Sequence, residues 1–262
     1  MPELPEVETV VRSLRPLIEG RRILAAEFDA SRIFRGSTEG AAEALAGQRI
    51  EKVSRMGKFI AVQLDRGAMA IHLGMTGSLL VGAEPTKWTH AVFTLDQGTL
   101  QYDDPRQFGR IEYGATLPER LSLLGPEPLE ITLDDFASRL KEKRSPVKAA
   151  LLNQSVLRGV GNIYADEALF RAGIRPTAVA ASIGRARVSK LLGAVQDVLS
   201  EAIESRGSSI SDYVDAEGRK GGFQASHRVY QRDGQPCVVC GAEIRRIVVA
   251  QRGTHYCAKC QR

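Results

Sequence analysis

The sequence predicts an α+β protein, in which a β-sandwich with an N-terminal helix is followed by a helical domain and a small β-hairpin. Three observations support this prediction. The first half contains a series of short strand-like segments, helical periodicity begins after residue 133, and all four cysteines lie in the last 26 residues. Short strands that follow one another without intervening helices are typical of a sandwich and not of a βαβ fold.

Residues 1–19 predict a single helix. Pro5 falls at or near its first helical position, and the carboxylates of Glu6 and Glu8 favour the positive end of the helix dipole. The apolar residues of this segment recur at helical spacing and form one stripe: Val7, Val10, Val11 and Leu14. The stripe predicts which side of the helix is buried.

Eight strands are predicted after this helix, and turn signals such as residues 65–67 and 96–98 separate many of them. The predicted strands are 22–29, 49–54, 59–64, 68–73, 78–81, 91–95, 99–103 and 110–113. Residues 124–129 then contain two prolines and one glycine, the composition of an interdomain connection. Helices are predicted beyond it at 134–143, 147–152, 163–172 and 185–205.

These patterns divide the chain into four parts. We expect an N-terminal domain at 1–124, a linker at 125–133, a helical domain at 134–226 and a C-terminal finger at 227–262. With 262 residues, 43% of them hydrophobic, the chain is long enough for two domains with ample cores.

The cysteines give the strongest spacing signal. Cys237 and Cys240 form one Cys-x-x-Cys pair, and Cys257 and Cys260 form a second pair after 16 intervening residues. This spacing predicts a tetrahedral four-cysteine zinc site on two knuckles of a β-hairpin, and disulfides are disfavoured in a cytosolic chain. The four-thiolate site is closed, so one structural Zn²⁺ is expected to fold the finger. His255 is a spare donor that we interpret as a surface or packing residue.

Charge is distributed unevenly along the chain. The net charge is +5, but residues 1–133 carry 15 Lys and Arg against 18 Asp and Glu, whereas residues 134–262 carry 21 against 13. A basic second half is expected of a nucleic-acid-binding protein, although a merely solvated basic face is an alternative. No apolar run approaches the roughly 18 residues of a membrane span, and no signal peptide is recognisable, so we expect a cytoplasmic protein.

The second residue carries the main chemical prediction. Removal of Met1 would expose the secondary amine of Pro2 as the N-terminus. An α-amine has a pKa of about 7.7 to 8.0, against about 10.4 for lysine, so it is a usable nucleophile near neutrality. A secondary amine condenses with an aldehyde to give a cationic iminium, which is an electron sink. Glu3 is adjacent and within reach as a general acid or base.

Residues 1–10 resemble the N-terminus of the formamidopyrimidine-DNA glycosylases. The resemblance implies a bifunctional enzyme of base excision repair, which excises 8-oxoguanine and formamidopyrimidines from duplex DNA and cleaves the strand by β,δ-elimination. It implies that Pro2 is the Schiff-base nucleophile and that Glu3 is the acid that helps to open the deoxyribose ring. Further motifs in the same order carry the resemblance through nearly the whole chain, at 58, 72–77, 104–109, 159–167, 217–223 and the cysteines.

The resemblance also assigns roles in the first half. Lys58 would assist base release and hold a phosphate, although a lone lysine at a strand edge is usually only solubilising. Met75, Arg106 and Phe108 would fill the space left by a flipped nucleotide, where composition alone favours core positions for Met75 and Phe108. Gln107 departs from the Arg or Lys common in the family, which removes a possible phosphate contact.

In the second half, residues 159–167 resemble the family's helix-two-turn-helix motif, in which Asn162 would contact the DNA backbone from a helix start. The resemblance implies DNA contacts for Lys148 and, in the first half, for His90. Arg252 would grip the phosphates that flank the lesion and is included with the catalytic residues. The Gly-rich segment 217–223 would close over the extruded base, with 219–223 as recognition residues; a flexible loop without function is the alternative.

Two other functions remain open from the sequence. One is an endonuclease VIII-like glycosylase for oxidised pyrimidines, which the pattern of Leu4, Glu6, Glu8 and Thr9 modestly disfavours. The other is a non-catalytic DNA-binding protein with a zinc ribbon. The expected partner is double-stranded DNA with oxidised bases or abasic sites, bound by a monomer that does not associate with membranes.

Overall fold

The computed structural model describes residues 1–29, 32–210 and 212–262 of the protein. The chain forms two compact units. The first unit comprises Met1–Leu123 together with Ser205–Gly222, and the second comprises Leu124–Glu204 together with Phe223–Arg262. The segment that the sequence places near the end of the helical domain therefore packs with the N-terminal unit.

The described residues of the first unit form two α-helices and two sheets. The helices are α1 (Leu4–Ile18) and α2 (Thr38–Leu45). The strands are β1 (Ile23–Phe28), β2 (Phe34–Arg35), β3 (Ile50–Met56), β4 (Phe59–Leu64), β5 (Gly67–His72), β6 (Ser78–Val81), β7 (Thr89–Leu95), β8 (Thr99–Asp103) and β9 (Arg110–Gly114). One sheet has the order β1-β7-β8-β6 and the other β2-β9-β5-β4-β3, and every pair is antiparallel except β2 with β9.

The apolar stripe of α1 is buried in the core of this unit. Val7, Val10, Val11, Leu14 and Ile18 have no exposed surface and pack in one cluster with inward-facing residues of both sheets. Burial of a large aliphatic side chain stabilises a fold by about 1.5 to 3 kcal/mol. The predicted sandwich with its N-terminal helix is confirmed.

Helix α2 was not predicted. Ser37 caps it by accepting the Gly40 N–H at 3.2 Å, and Glu39 lies in the first turn. Leu45 and Ala41 are its buried residues. The Ser-Thr-Glu start is a capping signal, but eight residues between strands are too few to show a clear helical period.

The second unit contains four α-helices and one hairpin. They are α3 (Leu133–Lys141), α4 (Val147–Leu152), α5 (Asn162–Ala172), α6 (Arg185–Glu204), β10 (Ile244–Val249) and β11 (Arg252–Cys257). Helix α5 is almost wholly buried and ends at Gly173, which adopts the left-handed conformation with φ of 68°. The predicted helical domain with a C-terminal hairpin is confirmed. Within the described residues, no helix is long and apolar enough to cross a membrane.

Candidate active site and nucleic-acid interface

The N-terminal residues are held in place by Glu6. Pro2 is buried, and Glu3 is 2% exposed at the N-cap of α1. Glu3 and Glu6 form a capping box, in which the Glu3 N–H donates to Glu6 Oε2 at 2.8 Å. The other oxygen of Glu6 accepts the Ser208 N–H at 2.7 Å. One buried carboxylate thus joins the predicted acid to a segment 202 residues away in the chain.

The contact between Glu6 and the later segment requires a glycine. Gly207 has φ of 79°, and a Cβ atom there would lie 2.7 Å from Glu6 Oε1. Tyr213 approaches from the same segment and donates its hydroxyl to the Glu6 carbonyl at 3.2 Å. Gly207, Ser208 and Tyr213 therefore pack against the first turn of α1, where Glu3 lies.

Lys58 lies in the turn between β3 and β4 and is half-buried. Its charge acts on His72 of β5, whose pKa falls to about 4 because of burial first and then of the positive charges of Lys58, Arg110 and Arg120. His72 is therefore neutral at pH 7, and its Nδ1 accepts the Gly74 N–H at 3.0 Å. Positive charge collected at this edge of the sheet is suited to an anionic ligand such as a phosphate.

The three predicted wedge residues are exposed. Met75 is 39% and Phe108 54% exposed, and the Arg106 guanidinium lies 4.9 Å from the centre of the Phe108 ring. The loop that carries Arg106 and Phe108 is shaped by Asp104, which has no exposed surface. Asp104 accepts the Thr76 hydroxyl at 2.5 Å and the Gly109 N–H at 2.7 Å.

His90 supports the same loop from β7. It is 5% exposed, and both ring nitrogens have protein partners. Nδ1 lies 2.6 Å from Asp29 Oδ2, and Nε2 lies 3.0 Å from the Asp104 carbonyl oxygen. These contacts favour a role in fixing the loop.

In the second unit, α4 and α5 hold the backbone of β11. Asn162 is the first residue of α5, and its Nδ2 donates to the Gly253 carbonyl at 3.0 Å. Lys148 of α4 donates to the same carbonyl at 3.1 Å and to Thr254 Oγ1 at 2.7 Å. Its ammonium also pairs with Asp166 at 2.6 Å, and both of these side chains are fully buried. A direct phosphate contact by Lys148 is not available in this conformation, because the side chain presents no surface to solvent.

Arg252 is exposed at the start of β11, directly after a strained turn. Ala250 and Gln251 connect the two hairpin strands with φ of 50° and 59°. Two successive residues with positive φ are the signature of a type I′ turn, in which Asn-Gly is preferred. The turn and the Gly253 contacts fix the backbone on both sides of Arg252.

The four cysteines converge at the other end of the hairpin. Their sulfur atoms lie within 4.8 Å of one another, with Cys237 and Cys260 at 3.9 Å and Cys240 and Cys257 at 3.5 Å. A tetrahedral zinc ion with Zn–S bonds of about 2.3 Å requires S–S separations of about 3.8 Å, so the donor set fits Zn²⁺.

Three family models match the chain in order. They are described as the formamidopyrimidine-DNA glycosylase N-terminal domain at residues 1–111, the formamidopyrimidine-DNA glycosylase H2TH domain at 124–214, and a zinc finger found in FPG and IleRS at 234–262. The chain belongs to the formamidopyrimidine-DNA glycosylase family. It is therefore a DNA glycosylase, as the N-terminal residues and the later motifs predict.

Individual family members agree over the full length. A formamidopyrimidine-DNA glycosylase of Solibacter usitatus is 58% identical over 264 residues and covers both chains completely. The MutM (FPG) protein of Thermus thermophilus is 43% identical, with a TM-score of 0.91 over 99% of this chain and 98% of that one. The Lactococcus lactis Fpg in complex with N7-benzyl-Fapy-dG DNA is 36% identical, with a TM-score of 0.92 over 99% of each chain.

Membership of this family and the sulfur geometry agree on the cofactor. The finger of the glycosylase is a zinc finger with one structural zinc ion, and the predicted cofactor is confirmed; Cys237, Cys240, Cys257 and Cys260 form the cluster that can hold it. His255 is not needed as a ligand. Its backbone N–H donates to Asp166 Oδ2 at 2.8 Å, so it packs against α5.

Two residues that contact predicted site residues, one in each unit, were missed by the sequence analysis. Glu6 was interpreted only as a favourable charge at a helix start, yet it links Glu3 to Ser208. Asp166 was not considered, yet it carries the buried pair with Lys148. The capping-box spacing could have found the first contact, but no local signal reports a partner that lies far away in the chain.

Proposed function

We propose that the protein excises oxidised purines, including 8-oxoguanine and formamidopyrimidines, from duplex DNA and then cleaves the strand by β,δ-elimination. The observation that carries this proposal is the placement of Pro2 and Glu3 at the start of α1, where Glu6 fixes the Glu3 backbone. Met1 lies outside α1, and its removal gives Pro2 a free secondary amine.

The first step forms a bond between the Pro2 nitrogen and C1′ of the damaged nucleotide as the bond from C1′ to the base breaks. The base leaves with the bonding electrons, and the amine loses its proton. Glu3 donates a proton to the ring oxygen, so the sugar opens and the C1′–N bond becomes an iminium. A positioned general acid supplies about 10²- to 10⁴-fold of rate.

The iminium then drives strand cleavage. Loss of a C2′ proton sends electrons into the iminium and expels the 3′ phosphate, and loss of a C4′ proton expels the 5′ phosphate. Water finally hydrolyses the iminium and releases Pro2. Lys58 assists base release and binds a phosphate, which the positive charge around His72 favours.

The remaining predicted residues serve DNA binding. Met75, Arg106 and Phe108 enter the base stack and fill the space of the extruded nucleotide, which their exposure allows. Asn162 and Arg252 contact phosphates, and Arg252 also acts in the elimination steps. For Lys148 and His90 the contacts favour indirect roles: Lys148 positions β11 beside Arg252, and His90 positions the loop 104–109.

The physiological partner is double-stranded DNA that contains oxidised bases or abasic sites, and the protein acts on it as a cytoplasmic monomer. The structures of Fpg with lesion-containing DNA support this partner. The net charge of +8 in residues 134–262, from 21 Lys and Arg against 13 Asp and Glu, supports phosphate binding by the second half.

One assay tests the proposal. Duplexes with 8-oxoguanine opposite C, or with dihydrouracil opposite G, are incubated with the protein and with Pro2→Gly, and borohydride is added to reduce the iminium. We expect preferential cleavage of the 8-oxoguanine duplex and a DNA adduct at residue 2, which mass spectrometry locates. Preference for dihydrouracil would assign the protein to the endonuclease VIII-like group. Absence of any adduct would reject the covalent mechanism.

A further inference from the structure

A single buried carboxylate organises the loop after α6. Asp215 has no exposed surface, although the turn around it is at the surface. Its Oδ1 accepts the backbone N–H of Glu217 at 3.0 Å and of Arg219 at 2.9 Å. Its Oδ2 accepts Nε of Arg219 at 3.3 Å and the guanidinium of Arg206. The turn 215–219 is therefore built around the Asp215 side chain.

The same carboxylate ties the crest of this loop, residues 218–222, to its neck, residues 206 and 207. Arg206 adopts a left-handed conformation with φ of 62°, which costs a residue other than glycine about 1 kcal/mol. Its guanidinium bond to Asp215 offsets that strain. The crest packs tightly on the neck, since a Cβ atom on Gly221 would lie 2.2 Å from the Gly207 carbonyl oxygen.

The base of the loop rests on α1, the helix that begins at the predicted catalytic residues. Ser208 and Tyr213 bond to Glu6, and the Ala216 N–H donates to Ser13 Oγ at 3.1 Å. The Glu6 carboxylate bonds both to the Glu3 backbone and to Ser208 of the loop. The loop crest, where Arg219 and Lys220 are exposed, therefore belongs to a loop that packs on the same helix that presents Pro2 and Glu3.

We propose that Asp215 is a positioning residue for recognition of the damaged base. It holds the crest residues 218–222 in the shape that meets the base, and it touches neither the sugar nor the phosphates. The inference rests on the proposed function, because it requires excision at Pro2. Its consequence is specific: Asp215 matters while a base is present and does not matter once the base has gone.

The experiment compares two substrates under single-turnover conditions, a duplex with 8-oxoguanine opposite C and the same duplex with a preformed abasic site. In Asp215→Asn, an NH2 group replaces one of the two carboxylate oxygens. An NH2 group donates hydrogen bonds and cannot accept them, so either the two arginine donors or the two backbone donors lose their acceptor. We expect excision of 8-oxoguanine to fall at least tenfold, while cleavage at the abasic site stays within twofold of wild type. Asp212→Asn, the same substitution at an exposed carboxylate of the loop outside residues 217–223, is the matched control and should leave both rates within twofold.

Arg206→Gly is the second variant, since it removes the guanidinium while relieving the left-handed strain, so it should fold even if Asp215→Asn does not. The same selective loss is expected. Equal losses on both substrates, or full excision activity in a folded Asp215→Asn or Arg206→Gly protein, would overturn the proposal. Failure of the wild-type protein to cleave the abasic duplex would instead count against the proposed function itself.

Discussion

The Lys148 ammonium and the Asp166 carboxylate lie 2.6 Å apart with neither side chain exposed to solvent. The pair joins α4 to α5, and its outer contacts reach Gly253 and Thr254 of β11. Because charges in a buried pair are each desolvated, removing one partner leaves the other without compensation. The stability of the helices and the position of the β10–β11 hairpin therefore depend on the same contact.

Replacement of Lys148 by Met should destabilise the protein by roughly 3 to 5 kcal/mol, since it leaves Asp166 charged and buried. The double variant Lys148→Met/Asp166→Asn should recover part of this loss. Calorimetric unfolding of the zinc-loaded protein measures both. Arg139→Met is the control, because Arg139 pairs with Asp135 at the surface at 2.9 Å and such pairs contribute about 1 kcal/mol or less. Equal effects of Lys148→Met and Arg139→Met would contradict the prediction.

Replacement of Glu3 by Gln should lower base excision by about 10²- to 10⁴-fold, because the side chain no longer donates a proton to the opening sugar. The fold should persist, since the Glu3 N–H that bonds to Glu6 belongs to the backbone. Single-turnover excision of 8-oxoguanine measures the effect, with Glu8→Gln as the control in the same helix. A turnover rate equal to wild type would remove Glu3 from the mechanism.

Removal of zinc should abolish DNA binding by unfolding the finger that carries Arg252. The hairpin has only a small core of its own, formed with Phe170 and Val229 around the cysteines. Chelation followed by a titration with abasic-site DNA should show about a hundredfold loss of affinity or more, because the apo finger does not hold its fold, and added Zn²⁺ should restore it. Unchanged affinity after verified metal removal would disprove this dependence.

The depressed pKa of His72 should lower the free energy of unfolding as the pH falls. Its pKa is about 4 in the folded protein and 6.5 when unperturbed, so below pH 6.5 the unfolded state binds the proton first. Between pH 7.5 and pH 5 the free energy of unfolding of the wild type should fall by about 2 kcal/mol more than that of His72→Asn, because the variant lacks this titrating group. Below pH 4 the difference should stop growing. Denaturant unfolding at each pH measures this difference. If the free energy of unfolding depended on pH in the same way in both proteins, that would be evidence against a neutral buried His72.

Replacement of Ala250 and Gln251 by Asn and Gly should stabilise the hairpin. Both residues have positive φ, which costs ordinary residues about 1 kcal/mol each and suits Asn-Gly. The Tm of the zinc-loaded protein should rise, while affinity for abasic-site DNA stays unchanged. A fall in Tm would contradict the prediction that Ala250 and Gln251 are strained. A fall in affinity would indicate that the Gln251 side chain contacts DNA.

The fold was largely predictable, because its signals are local. Seven of the predicted strands overlap β3 to β9 and the eighth overlaps β1, and helices α3 to α6 lie where periodicity predicts them. Helix α2 was missed because it is short, and β2, with only Phe34 and Arg35, carries no period at all. The domain limits at residues 124, 133 and 226 stay predictions; the segment 205–222 packs with the first unit through contacts that no local pattern encodes.

The zinc site was predictable because the metal requires thiolates at a set spacing, whereas the roles of Pro2 and the other site residues stay predictions. The environment of each residue was not predictable. Lys148 is a basic residue in a basic region, and only the fold shows that Asp166 buries it. In the same way, the sequence shows Asp215 only as one acidic residue in a polar stretch, and only the structure shows that the turn 215–219 is built around its carboxylate. Which charges point inward depends on packing between distant segments.

The hydrogen bonds of Asp104 affect the conformational entropy that the protein loses when it binds DNA. With its carboxylate satisfied by Thr76 and Gly109, the segment that displays Phe108 has its shape before any ligand arrives. Because this segment is already ordered, it loses little conformational entropy when DNA binds. More of the free energy of the contacts therefore appears as affinity. Exposure of the Phe108 ring to water is the corresponding free-energy penalty of the unbound protein, and the proposed insertion into stacked bases would relieve it.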